Sequence, residues 1–444
     1  MSENKGFMGK IQKWILPIGN FLSTEKHFAS VSAGLQATVG ISIISAFMQI
    51  AQTIVAMFAP GGLIAVNAGI VFDWAPAVSA ILKVPYDMTM GLLAVIATFA
   101  IAYNLAKYYN LKQMSAGIVA MLMFVMVAAP VQTVVLADGS TTFSGLATLW
   151  LGAPGLFTAI IVALISVEIT QFCIKRNWVV KMPDVVPPFL QDSFTSMIPL
   201  LLNVIVIYGL NVVLSLINPA LSIPTVIAAV LMAPVNAILG SVPGMLIAII
   251  FALLLWTVGV HGTMIVYPLL MPVMMTAIFT NAALVEAGQA PVFNAAFLFG
   301  AVAIAGGTGN TLGLALLCRF RAKSEQLKAI GNASIVPGIF GINEPMVFGV
   351  PIAFNPFMAI PFILQGLVVG LVMYLAYTFN LLTPTYILMM SLMPIGVGNF
   401  FGTMDWRNFV FAWLMVPVAG LVYYPFFRAY DAQLVEQERK AKEA

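Results

Sequence analysis

Charged residues are scarce in this chain: Asp, Glu, Lys and Arg make up 8% of its 444 residues, whereas 61% are hydrophobic. A soluble domain carries roughly 25% charged residues. The chain therefore has too little polar surface to fold as a soluble protein, and we predict an integral membrane protein. Because a charge is costly to bury in a bilayer, the few charged residues inside the apolar stretches are candidates for functional residues.

Cysteine and histidine are also rare, with two of each. Cys173 and Cys318 are isolated and lie far apart, which argues against a disulfide scaffold or a metal cluster. The sequence has no Walker motif and no basic face suited to nucleic acid. We therefore expect no metal, no cofactor and no nucleic-acid partner.

Long apolar runs are what the sequence does contain, and its length has room for about ten spans of 20 residues. The first half has five such runs, at about 29–58, 88–106, 113–136, 151–174 and 194–217. Basic residues flank these runs on alternate sides, so the positive-inside rule predicts five spans and a cytoplasmic N-terminus. Four prolines in 219–243 predict short broken helices there, at the membrane interface.

The second half does not alternate so simply. Two basic clusters mark a cytoplasmic loop and a cytoplasmic C-terminus, and between them lie three apolar runs, at about 352–378, 383–403 and 408–427. Three crossings cannot return the chain to the same side, so either 329–350 crosses in a broken form or one of the three does not cross. Segments 329–350 and 259–292 both contain helix-interrupting residues. Two interrupted segments in one half predict a binding site near the midplane of the membrane.

Glu344, in Gly341-Ile342-Asn343-Glu344-Pro345, is the first candidate functional residue. Its carboxylate can accept strong hydrogen bonds from hydroxyl groups, and the amide of Asn343 can both donate and accept. A loop with these groups suits a polyhydroxylated ligand. The structural alternatives are an ion pair with a neighbouring helix or a loop that rests at the surface.

His261, in Gly259-Val260-His261-Gly262, is the second candidate. Histidine titrates near neutral pH, so it could accept or donate a proton at a sugar hydroxyl. The alternative is a structural histidine bonded to a backbone carbonyl. The glycine-rich segment 306–311 is not a nucleotide loop, because no strand precedes it and no Gly-Lys-Ser/Thr follows. We interpret it as close helix packing, with Asn310 as a further candidate facing the cavity.

Several short stretches, taken in their order and spacing, resemble a known family between about Ile15 and Phe427. They are Ile15–Gly19, Ile101–Lys107, Ser115–Ile118, Ser166–Ile169, Lys181–Pro188, Leu255–Gly262, Gly341–Pro345 and Tyr423–Phe427. With them the chain resembles the membrane-embedded IIC component of the bacterial phosphoenolpyruvate:sugar phosphotransferase system, in its lactose/cellobiose/diacetylchitobiose branch.

The resemblance implies an all-α integral membrane protein with about ten transmembrane helices, two re-entrant hairpins and interfacial helices, working as a homodimer among membrane lipids. It implies a scaffold and dimerisation half at 1–240, a sugar-transport domain at 241–430 and a cytoplasmic tail at 431–444. Such a protein lies in the bacterial inner or plasma membrane with both termini in the cytoplasm.

The resemblance also implies a mechanism. The sugar, expected to be a β-linked disaccharide, binds from outside and is carried inward, where a separate IIB protein phosphorylated on cysteine, with IIA upstream, transfers phosphate to it. Glu344 and His261 match the family residues near the hydroxyl that becomes phosphorylated, and we predict Asn343 and Asn310 as further sugar ligands. The chain would be the transport subunit, with no phosphorylated residue of its own.

Two stretches depart from the family pattern. Val31-Ser32-Ala33-Gly34 stands where relatives usually carry Arg-Asp-Gly, and Met393–Asn399 stands where many read Trp-Thr-x-Pro. Loss of that aromatic platform leaves the sugar specificity open. Two other hypotheses also stay open: an ion-coupled transporter of unmodified substrate with Glu344 as its proton-coupling acid, and a membrane sensor that binds sugar without transport.

Overall fold

The computed structural model describes residues 17, 21, 24–60, 64–65, 69–135, 142–183, 186–352, 355–389 and 393–443. The described part of the chain is mostly helical and divides into two compact units. One unit is Thr24–Val235, and the other joins Met1–Ser23 with Asn236–Ala444. The roles expected for 1–240, 241–430 and 431–444 stay predictions.

The first helices and strands in chain order are α1 (Lys26–Ala37), α2 (Val39–Ala56), α3 (Ala75–Met90), α4 (Leu93–Tyr108), α5 (Gln113–Ala128), β1 (Val131–Val135), β2 (Thr142–Leu146), α6 (Leu156–Lys175), α7 (Pro188–Asn203), α8 (Gly209–Ile217), α9 (Ile223–Ile227) and α10 (Ala233–Leu239). Later elements are α11 (Val242–Thr257), α12 (Gly262–Glu286), a 3₁₀ helix (Ala295–Val302), α13 (Leu312–Arg321), α14 (Glu325–Ile339), α15 (Glu344–Gly349), α16 (Pro356–Thr378), α17 (Val397–Thr403) and α18 (Trp406–Glu443).

Apolar residues at helical spacing give α4 a buried face in the first unit. Ala94, Ala97, Ile101 and Leu105 are all fully buried, and their spacing of three and four residues places them on one side of the helix. Helix α1 crosses this face closely, because a Cβ atom added at Gly34 would lie 2.4 Å from Cγ1 of Ile101. Any larger residue at position 34 would therefore force the two helices apart.

A polar cluster joins the beginning of α1 to the end of α4 and to Glu168 within α6. The ring nitrogens of His27 lie 2.7 Å from Oε1 of Glu25 and 2.8 Å from Oε1 of Glu168. The hydroxyl of Tyr109 donates to the same oxygen of Glu168, and Nζ of Lys26 lies 4.3 Å from the centre of the Tyr109 ring. Glu168, which accepts from both Tyr109 and His27, therefore connects the three helices of this cluster.

Two segments of the first half differ from the sequence predictions. The run 113–136 was predicted as one span, but α5 ends at Ala128 and an exposed antiparallel hairpin follows, with Val131 opposite Leu146. The segment 219–243 was predicted as short broken helices. It is helical without interruption from Ile223 to Leu239, through a π-helix at Ala228–Met232, and its break comes after Leu239, where the next helix is bent away by 80°. A proline in the first turn of a helix needs no N–H partner, so Pro224 does not interrupt it.

The break predicted within 259–292 is narrower than that range. Helix α12 runs from Gly262 to Glu286 and contains both Pro268 and Pro272. The break lies just before it, at 258–261, where Gly259 has a φ of 82°. The histidine thus stands at a helix start and not inside an unwound segment.

The run predicted as a span at 383–403 is a helix only from Val397 onward; its described residues before that form no helix or strand. Other elements supply its hydrogen bonds. The side chain of Asn408 bonds both the N–H and the carbonyl of Thr383, at 3.1 and 2.9 Å. Nδ2 of Asn281 donates to the carbonyl of Thr385 at 3.0 Å. The described residues of this run thus do not form one membrane-spanning helix, and which segment restores the parity of crossings stays a prediction.

Asp405 anchors the same segment and gives it a pH dependence. Its carboxylate accepts from the hydroxyl of Thr383 at 2.6 Å and pairs with the Arg407 guanidinium at 2.6 Å. Burial raises the pKa of this carboxyl, but the hydrogen bonds from Arg407 and Thr383 outweigh burial and hold the pKa below its usual value. The ion pair thus stabilises the folded state above the unfolded-state pKa of about 3.9.

We therefore expect the thermal unfolding midpoint of the wild type to fall as the pH drops below about 4, as this carboxylate takes up a proton. In Asp405→Asn the group cannot titrate, so the midpoint is lower at pH 7 and the difference from wild type narrows at pH 3. Unfolding followed by circular dichroism at both pH values checks this. A constant difference between the two proteins would contradict it.

The described residues contain six helices long and apolar enough to cross a membrane, or eight if two bent helix pairs each count as one span. The longest is α18, whose residues Tyr423 and Phe427 are fully buried. The mostly helical membrane architecture is thus confirmed. The count of ten spans stays a prediction.

Candidate functional site

Three breaks between helices meet in the second unit, at 258–261, 303–311 and 340–343. The hydroxyls of Thr263 and Thr308 lie 3.2 Å apart, which joins the first break to the second. Nδ2 of Asn343 donates to the carbonyl of Thr308 at 2.6 Å, which joins the second break to the third. The two candidate motifs, at 259–262 and 341–345, are therefore connected through a glycine-rich loop.

His261 is the N-cap of α12. Its Nδ1 accepts a hydrogen bond from the backbone N–H of Met264 at 3.2 Å, and the hydroxyl of Thr263 lies 3.0 Å from the same nitrogen. The ring is half-buried beside the buried indole of Trp256, with the ring centres 4.2 Å apart. The alternative prediction for His261 was a structural histidine whose ring bonds a backbone carbonyl. The partners of the ring here are instead an N–H group and a hydroxyl.

Asn343 is buried and fixes the position of the residue that follows it. Its side chain is held by Thr308, and its carbonyl accepts from the N–H groups of Met346 and Val347 at 3.0 and 2.9 Å. Asn343 is thus the N-cap of the short helix α15, which begins with Glu344. The Oδ1 atom of Asn343 accepts no hydrogen bond from the described residues.

Glu344 is exposed, and its carboxylate has no ion pair or hydrogen bond within the part of the chain that the structure describes. The predicted alternative of an ion pair with a neighbouring helix is therefore not seen there. Contacts from Thr263 to Thr308 and from Thr308 to Asn343 connect His261, which lies against Thr263, with the residue that precedes Glu344. A carboxylate and an imidazole are thus held in one region, with the carboxylate open to a ligand.

Asn310 lies elsewhere than the sequence suggested. It is fully buried, and Nδ2 donates to the carbonyl of Ala301 at 2.7 Å and to Oε1 of Gln365 at 2.5 Å. Oδ1 accepts from the N–H of Ala305 at 2.7 Å. Both donors of the amide are used, because a buried turn leaves backbone groups that need partners. In this structure Asn310 holds the loop together, and it is not among the lining residues of the cavity described next.

A cavity of about 340 Å³ lies next to this junction. Its wall includes Gly341 from the third break and, from other elements, aromatic, methionine and amide side chains. The residues that matter here are Tyr267, Phe297, Met393, Pro394, Asn399 and Asn408. The Met393–Asn399 stretch, which departs from the family pattern, therefore forms part of the cavity wall. His261 and Glu344 are not among its lining residues.

Three residues of the junction were missed by the sequence reasoning. Nε1 of Trp256 donates to the hydroxyl of Thr263 at 3.4 Å, and Thr263 contacts both His261 and Thr308. A hydroxyl residue two positions after the candidate histidine was the signal for Thr263. Thr308 sat in a glycine-rich segment that was interpreted as packing alone.

Comparison with known proteins decides the family. The family model described as "Phosphotransferase system, EIIC" matches residues 29–366. The chain belongs to this family. It is a permease component of a phosphotransferase system, as the resemblance implied, and EIIC components work with IIB and IIA partners.

Relatives along nearly the whole chain support this assignment. The lichenan permease IIC component of Bacillus subtilis (strain 168) is 31% identical over 436 residues, covering 96% of this chain and 94% of that protein. The cellobiose-specific EIIC component of Geobacillus stearothermophilus is 31% identical over 371 residues, covering 80% of each. The lactose-specific EIICB component of Lactococcus lactis subsp. lactis is 33% identical over 391 residues, covering 84% of this chain and 65% of that protein.

A solved structure has the same fold. The transporter ChbC, the IIC component from the N,N'-diacetylchitobiose-specific phosphotransferase system, superposes with a TM-score of 0.86 at 28% identity, covering 97% of this chain and 99% of that one. These relatives are phosphotransferase components, and the hypothesis of an ion-coupled transporter finds no support among them.

Proposed function

We propose that this permease binds an extracellular β-linked disaccharide and presents it at the cytoplasmic face to a separate phosphorylated IIB protein. The observation that carries the proposal is the junction of three helix breaks, which holds His261 and Glu344 in one region beside a cavity. The names of the relatives, which refer to lichenan, cellobiose, lactose and N,N'-diacetylchitobiose, indicate the sugar class.

The cavity supports a sugar of this kind by its size and lining. Pockets for small molecules are about 300–1,000 Å³, and this one is about 340 Å³. Tyr267 and Phe297 offer aromatic surface from elements other than the Met393–Asn399 stretch, which lacks the tryptophan of many relatives. Asn399 offers an amide group that can bond hydroxyls. We propose that the sugar occupies this cavity with one end toward the junction.

We propose distinct roles for the site residues. Glu344, whose carboxylate is open, takes the proton of the hydroxyl that is phosphorylated. His261 binds that hydroxyl, and Asn343 positions Glu344 while its Oδ1 is free to bond the sugar. Asn310 supports the glycine-rich loop from within. We further propose a homodimer in the bacterial plasma membrane, with both termini in the cytoplasm.

Proteoliposomes test the proposal. With the phosphorylated IIB protein enclosed and sugar added outside, sugar phosphate is expected inside only when IIB is present. Free sugar that enters in response to a pH gradient, without IIB, would favour the ion-coupled transporter. Sugar binding with no entry under either condition would favour a sensor.

His261→Ala is expected to lower the rate of sugar phosphate formation by about 10²-fold, the usual loss when one hydrogen-bond donor at a reacting oxygen is removed. His27→Gln is the control. It changes the second histidine of the chain, which lies in the first unit and away from the proposed site, and it is expected to keep wild-type activity. The same proteoliposome assay measures both. A normal rate in His261→Ala would remove this residue from the mechanism.

A further inference from the structure

The hydrogen bonds around His261 define which ring nitrogen carries the proton. The backbone N–H of Met264 points at Nδ1 from 3.2 Å, and it also contacts the carbonyl of His261 at 3.1 Å. An amide N–H can only donate, so Nδ1 presents its lone pair. A neutral ring that accepts at Nδ1 carries its proton on Nε2.

The hydroxyl of Thr263 completes this assignment. Trp256 Nε1–H can only donate, and it points at the oxygen of Thr263 from 3.4 Å. A hydroxyl has one proton and two lone pairs, so Thr263 accepts from Trp256 and Thr308 and donates its proton to Nδ1 of His261. The N–H of Met264 and the hydroxyl of Thr263 then share the single lone pair of Nδ1, and the N–H of Met264 also has the carbonyl of His261 as an acceptor. If Nδ1 carried the proton, that N–H would point at the N–H of Met264, and two donors would face each other.

We infer that Thr263 is a positioning residue that holds His261 as the Nε2–H tautomer, so that His261 donates a hydrogen bond to the sugar hydroxyl and does not remove its proton. This inference rests on the proposed role of His261 and chooses between the two roles that the sequence left open. The hydroxyl proton then passes to the carboxylate of Glu344. The sugar oxygen forms its bond to phosphorus while the phosphorus–sulfur bond of the IIB phosphocysteine breaks and the thiolate leaves.

Nitrogen NMR tests the tautomer directly, because the chain has only two histidines. In protein labelled with ¹⁵N-histidine, the His27→Gln variant leaves the imidazole of His261 as the single histidine signal. At neutral pH we expect a protonated Nε2 and an unprotonated, hydrogen-bonded Nδ1. In Thr263→Val we expect a mixture of tautomers. A wild-type spectrum with a protonated Nδ1, either as the other tautomer or as imidazolium, would overturn the inference.

Activity of matched variants tests the consequence. Thr263→Val is expected to lower sugar phosphorylation roughly tenfold, as loss of a group that orients another does, with sugar affinity nearly unchanged and with rescue by Thr263→Ser. The control is Thr280→Val on the same helix, whose hydroxyl donates to the carbonyl of Thr276 at 2.9 Å. A Thr263→Val rate equal to that of the control would overturn the positioning role.

His261→Gln separates a donor from a base even if Thr263→Val folds poorly. Glutamine can place an N–H near the position of Nε2 but cannot take a proton. We expect His261→Gln to be at least about tenfold more active than His261→Ala, in line with the loss expected for one donor. Equal activity of the two variants would overturn the donor role. A fully active His261→Ala would instead refute the proposed function, whereas the NMR result is independent of activity.

Discussion

Glu344→Gln is expected to lower the rate of sugar phosphate formation by about 10²–10⁴-fold, the range for loss of a general base. Glutamine keeps the size of the side chain and can still accept a hydrogen bond, but it cannot take the hydroxyl proton. Because Glu344 is exposed and makes no ion pair within the described residues, the fold is expected to survive the change. Sugar binding by purified protein should therefore stay close to wild type while phosphorylation is lost.

Glu325→Gln is the matched control. Glu325 is also an exposed first residue of a helix in the same unit, and its carboxylate pairs with Nζ of Lys328 at 2.8 Å. Surface pairs of this kind contribute about 0–1 kcal/mol, so this variant should be as active and nearly as stable as wild type. Normal phosphorylation by Glu344→Gln, or an equal loss in both variants, would contradict the assignment of Glu344 as the base.

The sequence predicted where the helices break because the signals are local. Glycine and proline in 259–292 and 329–350 pointed to interruptions, and the described structure has breaks at 258–261 and 340–343. Which prolines interrupt a helix was harder to predict. Pro268 and Pro272 are accommodated inside α12, because the cost of each proline depends on what neighbouring helices offer the freed carbonyl.

The non-helical conformation of residues 383–389 and 393–396 could not be predicted from that segment alone. The run is apolar enough to suggest a span, and its conformation depends on partners far away in the chain. Asn281 and Asn408 bond its backbone, from α12 and α18. A buried segment without regular structure is stable only if its N–H and carbonyl groups have hydrogen-bond partners. Local hydropathy does not show which residues supply those partners.

The same limit explains the outcome at the candidate site. His261 and Glu344 were found because a titratable residue in an apolar stretch is rare. Thr263 and Thr308 are 45 residues apart, and their contact exists only after folding. Asn310 was expected to face the cavity, but the buried backbone of Ala301 and Ala305 needs its amide. The sequence shows which polar residues are present, and folding decides which of them remain free for a ligand.

Gly307→Ala is expected to be strongly destabilising and to abolish sugar phosphorylation. Gly307 has a φ of 79°, and an added Cβ would lie 2.5 Å from the carbonyl oxygen of Gly341 and 2.8 Å from Cβ of Asn343. The nearest atom belongs to the backbone, so the loop at 341–343 must shift and the bond between Asn343 and Thr308 is strained. We expect the free energy of unfolding to fall by about 3–5 kcal/mol, as for other severe steric changes.

Gly288→Ala is the control that separates the steric part of this effect from the cost of a left-handed backbone. Gly288 has a similar φ of 72°, but no atom lies within 4 Å of a Cβ built there. It therefore carries only the left-handed backbone cost of about 1–2 kcal/mol, which both variants share. Thermal unfolding in one detergent, together with the proteoliposome assay, compares the two. If both variants lost the same stability, or if Gly307→Ala still phosphorylated sugar at the wild-type rate, the close contact between the glycine-rich loop and the Glu344 loop would not be what holds the site together.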